Sequence, residues 1–229
     1  MAHFPIYTLM SEVFPQTLQN KIEDLGVLAV VVIDDAEQAV PLAEALLAGG
    51  IAAMELTLRT DAALDAVKIL SKQVPEMLVG CGTVLSIDQL NAVRDAGAHF
   101  AVSPGLNPKT LEHAIHTHFP FAPGISTASD IEIAQDHGCR LLKFFPCETS
   151  GGLRHLKVLS APFQHLGIKY IPLGGINPTN LPNYLEDRSL IAAVGGSWLA
   201  PRKLIETKDW NAIETLAADA VSIVNSSES

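Results

Sequence analysis

Ala52-Ala53-Met54-Glu55-Leu56-Thr57-Leu58 reads as a strand, Ala62–Gln73 after it as a helix, and Met77-Leu78-Val79-Gly80-Cys81-Gly82-Thr83 as a second strand. The first run alternates side chains between two faces, the second stretch is rich in helix formers, and the third is short, apolar and glycine-bounded. The same unit recurs on both sides. Further apolar runs are Leu28–Ile33, His99–Ser103, Phe121–Ser126, Leu141–Pro146, Lys169–Leu173 and Ile191–Val194. Helical spacing fills Ala36–Ala48, Ile87–Ala96, Pro108–Thr117 and Ser129–His137. Asp35, Thr60, Ser86, Asn107 and Thr127 are candidate N-caps, and Gly49-Gly50, Gly97 and Gly138 are candidate helix stops.

Strands alternating with helices predict an α/β fold with a parallel sheet. Eight such units closing on themselves make a (β/α)8 TIM barrel near the compact end of its size range. Thr17–Leu25 is then an extra N-terminal helix, placed to close the barrel bottom. An open doubly wound sheet is the competing arrangement. With no linker-like stretch to divide it, the chain reads as one domain over residues 1–229, with its core at about 17–224.

Composition narrows the function classes. A formal charge of -10 argues against nucleic acid or an anionic membrane as the main partner. Val27–Ile33 is the longest apolar stretch and is too short to span a bilayer. Met1 to Gln16 does not resemble a signal peptide. Cys81, Cys139 and Cys147 suggest neither a disulfide framework nor a zinc site. A cytoplasmic protein is expected.

Lys143 lies inside the apolar run Leu141-Leu142-Lys143-Phe144-Phe145-Pro146. Lysine is seldom buried unless it is paired or used. Desolvation disfavours the charged form of an amine, and a neutral amine attacks ketones to form a Schiff base. The alternative is a lysine that snorkels to the strand end and pairs with a carboxylate. On the Ala52–Leu58 strand, Glu55 and Thr57 share the inward parity, with Arg59 just above at the barrel mouth. An internal Glu55–Arg59 ion pair is one reading of that pattern. Acid–base chemistry by Glu55 beside a Schiff base on Lys143 is the other. Phe145, sharing the face of Lys143, is an apolar wall that keeps water away.

Gly80 and Gly82 flank Cys81 and allow backbone to approach a ligand, but the third glycine of a dinucleotide fingerprint is missing. Thr83 can donate its hydroxyl to a substrate carboxylate or cap the next helix. Gly174-Gly175 and Gly195-Gly196-Ser197-Trp198 follow the seventh and eighth strands, where many barrels hold phosphate on backbone N–H groups. Two tight turns are the structural alternative. Glu112, His113, His116 and His118 lack a metal-binding order and read as a solvated helix end. Trp210 reads as an anchor for a last helix over 211–224.

Glu55-Leu56-Thr57-Leu58-Arg59-Thr60, Gly80-Cys81-Gly82-Thr83-Val84, Ser103-Pro104-Gly105, Pro123-Gly124-Ile125-Ser126-Thr127, Lys143-Phe144-Phe145-Pro146, Gly174-Gly175-Ile176 and Gly195-Gly196-Ser197-Trp198 occur in one order. Together they resemble the 2-keto-3-deoxy-6-phosphogluconate (KDPG) and 4-hydroxy-2-oxoglutarate aldolase family. The resemblance implies a homotrimer of (β/α)8 barrels, a class I lyase of carbohydrate metabolism in the Entner–Doudoroff pathway, with no metal and no organic cofactor. It implies a Schiff base on Lys143 and proton relay by Glu55. It places the pyruvyl carboxylate on Arg59 and Thr83, a wall of Pro104 and Phe145, and phosphate on Gly174, Gly175, Gly196 and Ser197. The expected substrate is a keto-acid sugar phosphate. Leu173 departs from the threonine common before the double glycine, and so favours a galactonate-type epimer or relaxed selectivity.

Other classes fit parts of the pattern: a phosphate-binding barrel such as an isomerase or decarboxylase, a metal-dependent aldolase, or a non-catalytic sugar-phosphate sensor. Failure to trap pyruvate, loss of activity with a chelator, and binding without turnover would distinguish them.

Overall fold

The computed structural model describes residues 13–227, so most of the segment compared with a signal peptide lies outside the described residues. Helix α1 (Gln16–Leu25) stops at Gly26, whose φ of +66° suits glycine, and leads directly into strand β1 (Val27–Val31). There follow α2 (Ala39–Ala48), β2 (Ala53–Thr57), α3 (Ala63–Gln73), β3 (Leu78–Gly82), α4 (Ile87–Asp95), β4 (Phe100–Val102) and α5 (Pro108–His116). The second half runs β5 (Phe121–Ala122), β6 (Gly124–Ile125), α6 (Ala128–Asp136), β7 (Leu141–Phe144), α7 (Gly152–Ser160), β8 (Lys169–Pro172), α8 (Leu181–Leu185), β9 (Val194–Gly196), α9 (Arg202–Glu206) and α10 (Trp210–Ser227).

Every strand pairing among the described residues is parallel. One sheet has the order β5-β4-β3-β2-β1-β9 and the other β6-β7-β8. Isolated parallel bridges, Tyr170 to Ile191 and Leu173 to Gly195, tie β8 to the last strand segment. The result is an α/β fold with a curled parallel sheet. Its ladders form two sheets, not one uninterrupted ring.

Proline explains the break. The expected strand Phe121–Ser126 is divided at Pro123, which accepts from the Lys143 N–H at 3.0 Å but has no N–H to donate. β5 therefore continues the β4 ladder and β6 starts the β7 ladder. The last strand also differs from expectation. It is Val194–Gly196 and not Ile191–Val194, so Gly195 and Gly196 lie within the strand and not in a turn after it.

Capping follows local chemistry. Asp35, Ser86, Asn107 and Thr127 each accept a backbone N–H at a helix start, and Thr127 with Asp130 forms a reciprocal capping box. Thr60 is the exception: its hydroxyl donates to the Ile33 carbonyl at 2.5 Å, joining the loops after β1 and β2 instead of capping α3.

Two apolar cores result. Met54 and Leu56 face the outer one, between sheet and helices, while Ala53 joins Leu28, Phe100, Val102, Leu141 and Ile171 in an inner one. Ile22 of α1 is fully buried in that inner core, and Phe14 meets Phe100 edge-on at 5.8 Å. Lys169 at the start of β8 donates to Glu23 at 2.6 Å. Helix α1 thus plugs the end of the inner core from which the strands begin. The opposite end, at the strand C-termini, is left for the site. Trp210 packs against the outer core from the start of α10.

Candidate active site

The inward parity of β2 and β7 brings two ionisable groups together inside the curl. Lys143 Nζ donates to Glu55 Oε1 at 2.8 Å, with 7% and 3% of their side chains exposed. The two residues are 88 positions apart in sequence, so the contact is a product of the sheet. Glu55 pairs with Lys143 and not with Arg59, which overturns the internal Glu55–Arg59 pair. Arg59 stands exposed beyond the end of β2, with no ion pair among the described residues. Lys143 does not snorkel out: its amine stays buried, and it lies 5.4 Å from the centre of the half-buried Phe145 ring.

Thr57 is buried and spends its hydroxyl on the Val31 carbonyl at 3.0 Å. Thr83, half-buried, holds a φ of +61°, uncommon for a branched residue and costly unless its surroundings enforce it. It does not cap α4, because Ser86 does.

Gly124 is the register partner of Lys143, and a Cβ there would stand 2.4 Å from the Pro104 carbonyl group. Pro104 is thereby brought alongside the lysine strand. Gly174 and Gly175 both hold left-handed φ, +102° and +88°, and the Cβ position of Gly174 is 3.4 Å from the Phe145 ring. Leu173, 4% exposed, fills the space over Gly195, whose Cβ would lie 2.4 Å from the leucine Cγ. Ser197 is exposed directly after Gly196, against which the Trp198 ring is packed. Leu173, Gly174, Gly175, Gly196 and Ser197 therefore gather at one end of the sheet, on the side of Phe145.

Three features are not legible in sequence spacing. Gly80 and Gly82 make room for side chains: their missing Cβ atoms leave space for the Phe100 ring and the Glu55 carboxylate. Tyr184 of α8 donates to Glu148 and lies 3.0 Å from Cys147 Sγ, pinning the segment after Lys143 to the helix after Gly174-Gly175. Burial, with both of these hydrogen bonds, raises the Tyr184 pKa, so its hydroxyl stays protonated. Burial also pushes the Cys81, Cys139 and Cys147 thiols up to about 12, which leaves them protonated and poor nucleophiles. His113 bonds Asn91 and His137 bonds Glu112; among the described residues no three potential ligands converge to hold a metal.

The family model described as KDPG and KHG aldolase matches residues 18–216. The chain belongs to this aldolase family. It is 44% identical over 195 residues to the KHG/KDPG aldolase of Escherichia coli K12, covering 85% of this chain and 90% of that one. The structure superposes on the KDPG aldolase of Zymomonas mobilis, solved with 3-phosphoglycerate, with a TM-score of 0.83 and 41% identity, covering 90% and 95% of the two chains. It superposes on the Legionella pneumophila KDPG aldolase, solved with pyruvate captured as a covalent carbinolamine, with a TM-score of 0.84 and 37% identity, covering 90% and 98%. The protein is an aldolase, a lyase. No helix among the described residues is long and apolar enough to cross a membrane.

Proposed function

We propose that this aldolase cleaves 2-keto-3-deoxy-6-phosphogluconate to pyruvate and glyceraldehyde 3-phosphate, and 4-hydroxy-2-oxoglutarate to pyruvate and glyoxylate. The observation that carries the mechanism is the buried 2.8 Å contact between an amine and a carboxylate. The Schiff base forms on Lys143. Its Nζ attacks the keto carbon, and Glu55 supplies the proton with which water leaves the carbinolamine. The resulting iminium is an electron sink. Glu55, through a water, takes the proton of the C4 hydroxyl, the C3–C4 bond breaks, and its electron pair becomes the enamine. Glyceraldehyde 3-phosphate departs. Glu55 then protonates the enamine carbon, and hydrolysis releases pyruvate and restores the amine.

Arg59 and Thr83 hold the pyruvyl carboxylate. Arg59 suits that task because its fork meets a carboxylate bidentately and, among the described residues, no ion pair neutralises it. Pro104 and Phe145 wall the reacting carbon. Gly174, Gly175, Gly196 and Ser197 bind phosphate, a reading supported by the left-handed glycine pair and the exposed Ser197 hydroxyl. Leu173 presents an apolar side chain and offers no hydrogen bond to the sugar, so selectivity between epimers is relaxed.

The two sheets, their linking bridges and the shared inner core support a single closed (β/α)8 domain with α1 as its lower plug. Family membership supports a homotrimer acting in the Entner–Doudoroff pathway. Three free cysteines accord with a reducing, cytoplasmic setting.

Borohydride reduction in the presence of pyruvate, followed by peptide mapping, tests the reading. One reduced pyruvyl adduct on Lys143 is expected; a folded sample without an adduct would overturn it. Ser197→Ala tests the phosphate site. Losing one hydrogen bond to a charged group, about 1.5–3 kcal/mol, should raise KM for the phosphorylated substrate about 10–150-fold and leave 4-hydroxy-2-oxoglutarate cleavage unchanged. Equal losses on both substrates would remove Ser197 from the phosphate site.

A further inference from the structure

Gly82 does not need to be glycine for the sake of its backbone. Its φ lies outside the left-handed range that holds Gly174 and Gly175, and it pairs with Thr57 in the regular parallel ladder of β2 and β3. Glycine inside a strand weakens it, so another requirement keeps a side chain out. That requirement is the space occupied by Glu55. A Cβ on Gly82 would stand 1.8 Å from Glu55 Oε1, 2.6 Å from Cδ and 2.8 Å from Cγ. Atoms at optimal van der Waals contact lie about 3.5–4.0 Å apart. Turning the carboxylate about the Cγ–Cδ bond gives no relief, because Cγ stays where it is and is itself too close. The whole side chain would have to change rotamer, and the 2.8 Å bond to Lys143 would be lost with it. Gly80, two residues earlier on the same face, provides the contrast. A Cβ there would meet the Phe100 ring at 2.2 Å, so that glycine serves packing alone.

We propose that Gly82 is a positioning residue for the reaction: its bare Cα leaves one place for the Glu55 carboxylate, against Lys143, from which protons are transferred. The inference rests on the roles given above to Lys143 and Glu55, and its test separates the two levels. Borohydride trapping with pyruvate reads imine formation. Deuterium incorporation into the pyruvate methyl group in heavy water reads proton transfer to and from the enamine.

Gly82→Ala should still give the adduct on Lys143 after long incubation, but exchange should fall about a hundredfold or more, the scale of lost general acid–base catalysis. Because alanine at 82 acts only through Glu55, adding Gly82→Ala to Glu55→Ala should change neither exchange nor melting temperature further. The double variant also covers the case in which Gly82→Ala alone fails to fold, since it should fold as well as Glu55→Ala. Exchange by Gly82→Ala at the unsubstituted rate would overturn the inference, as would a double variant that melts well below Glu55→Ala. If the unsubstituted protein itself forms no adduct, the aldolase mechanism falls instead, and the melting comparison still decides whether residues 55 and 82 compete for one space.

Discussion

Lys143→Ala should leave a folded protein with cleavage activity reduced by roughly 10⁴-fold or more, the scale on which removing a covalent nucleophile acts. The methyl group left behind cannot form an iminium, and the cysteine thiols do not replace the amine. The three thiols are buried and held protonated, with values pushed to about 12. Removing the amine also leaves the Glu55 carboxylate buried without its cation, and breaking a buried pair from one side costs about 3–5 kcal/mol. A fall in stability therefore accompanies the loss of activity and has to be separated from it. Lys143→Arg does this. A guanidinium preserves the charge beside Glu55 but stays protonated, so it cannot form the Schiff base. Both variants should be inactive in a steady-state pyruvate-release assay, with Lys143→Arg the more stable of the two by thermal melting. Turnover near the unsubstituted rate by either folded variant would end the Schiff-base mechanism.

The placement of this lysine was open to reading because strand parity is a strict rule. Once Leu141 and Phe145 share a face, Lys143 must share it, and the same alternation in Ala53–Thr57 turns Glu55 inward. What parity cannot show is which neighbours meet across the sheet. Arg59, four residues from Glu55, was the nearer partner in sequence, yet the structure prefers Lys143, 88 positions away. Arg59 lies past the end of the strand, where the chain has left the ladder and the side chain turns to solvent. Glycines were harder to read for a related reason. Gly50, Gly97 and Gly138 declare themselves by following helices, where positive φ is required. Gly82 and Gly195 have no local signature, since each is explained by a side chain from another strand or loop that fills the missing Cβ. Pro123 carried a local signal, the missing N–H, but its effect shows only once the partner strands are known: β4 lies on one side and β7 on the other.

Glu55→Gln isolates the proton-transfer half of the mechanism from the covalent half. The amide keeps the shape of the carboxylate, and its oxygen can still accept from Lys143 Nζ, so the geometry inside the curl is preserved. It cannot take a proton from the C4 hydroxyl and return it to the enamine carbon. General acid–base catalysis contributes about 10²–10⁴-fold, so kcat should fall by that factor. KM should change little, because the substrate contacts proposed for Arg59, Thr83, Gly174, Gly175, Gly196 and Ser197 are untouched. The reduced pyruvyl adduct should still form on Lys143, more slowly, because loss of water from the carbinolamine also uses a proton from Glu55. Deuterium incorporation into the pyruvate methyl group should drop in parallel with kcat, since both steps pass the proton through the same oxygen. A variant that loses kcat but exchanges at the unsubstituted rate would show that another group protonates the enamine. One that retains both would leave Glu55 only the role of pairing a buried lysine, and the base for carbon–carbon cleavage would then have to come from the mouth of the sheet, not its interior.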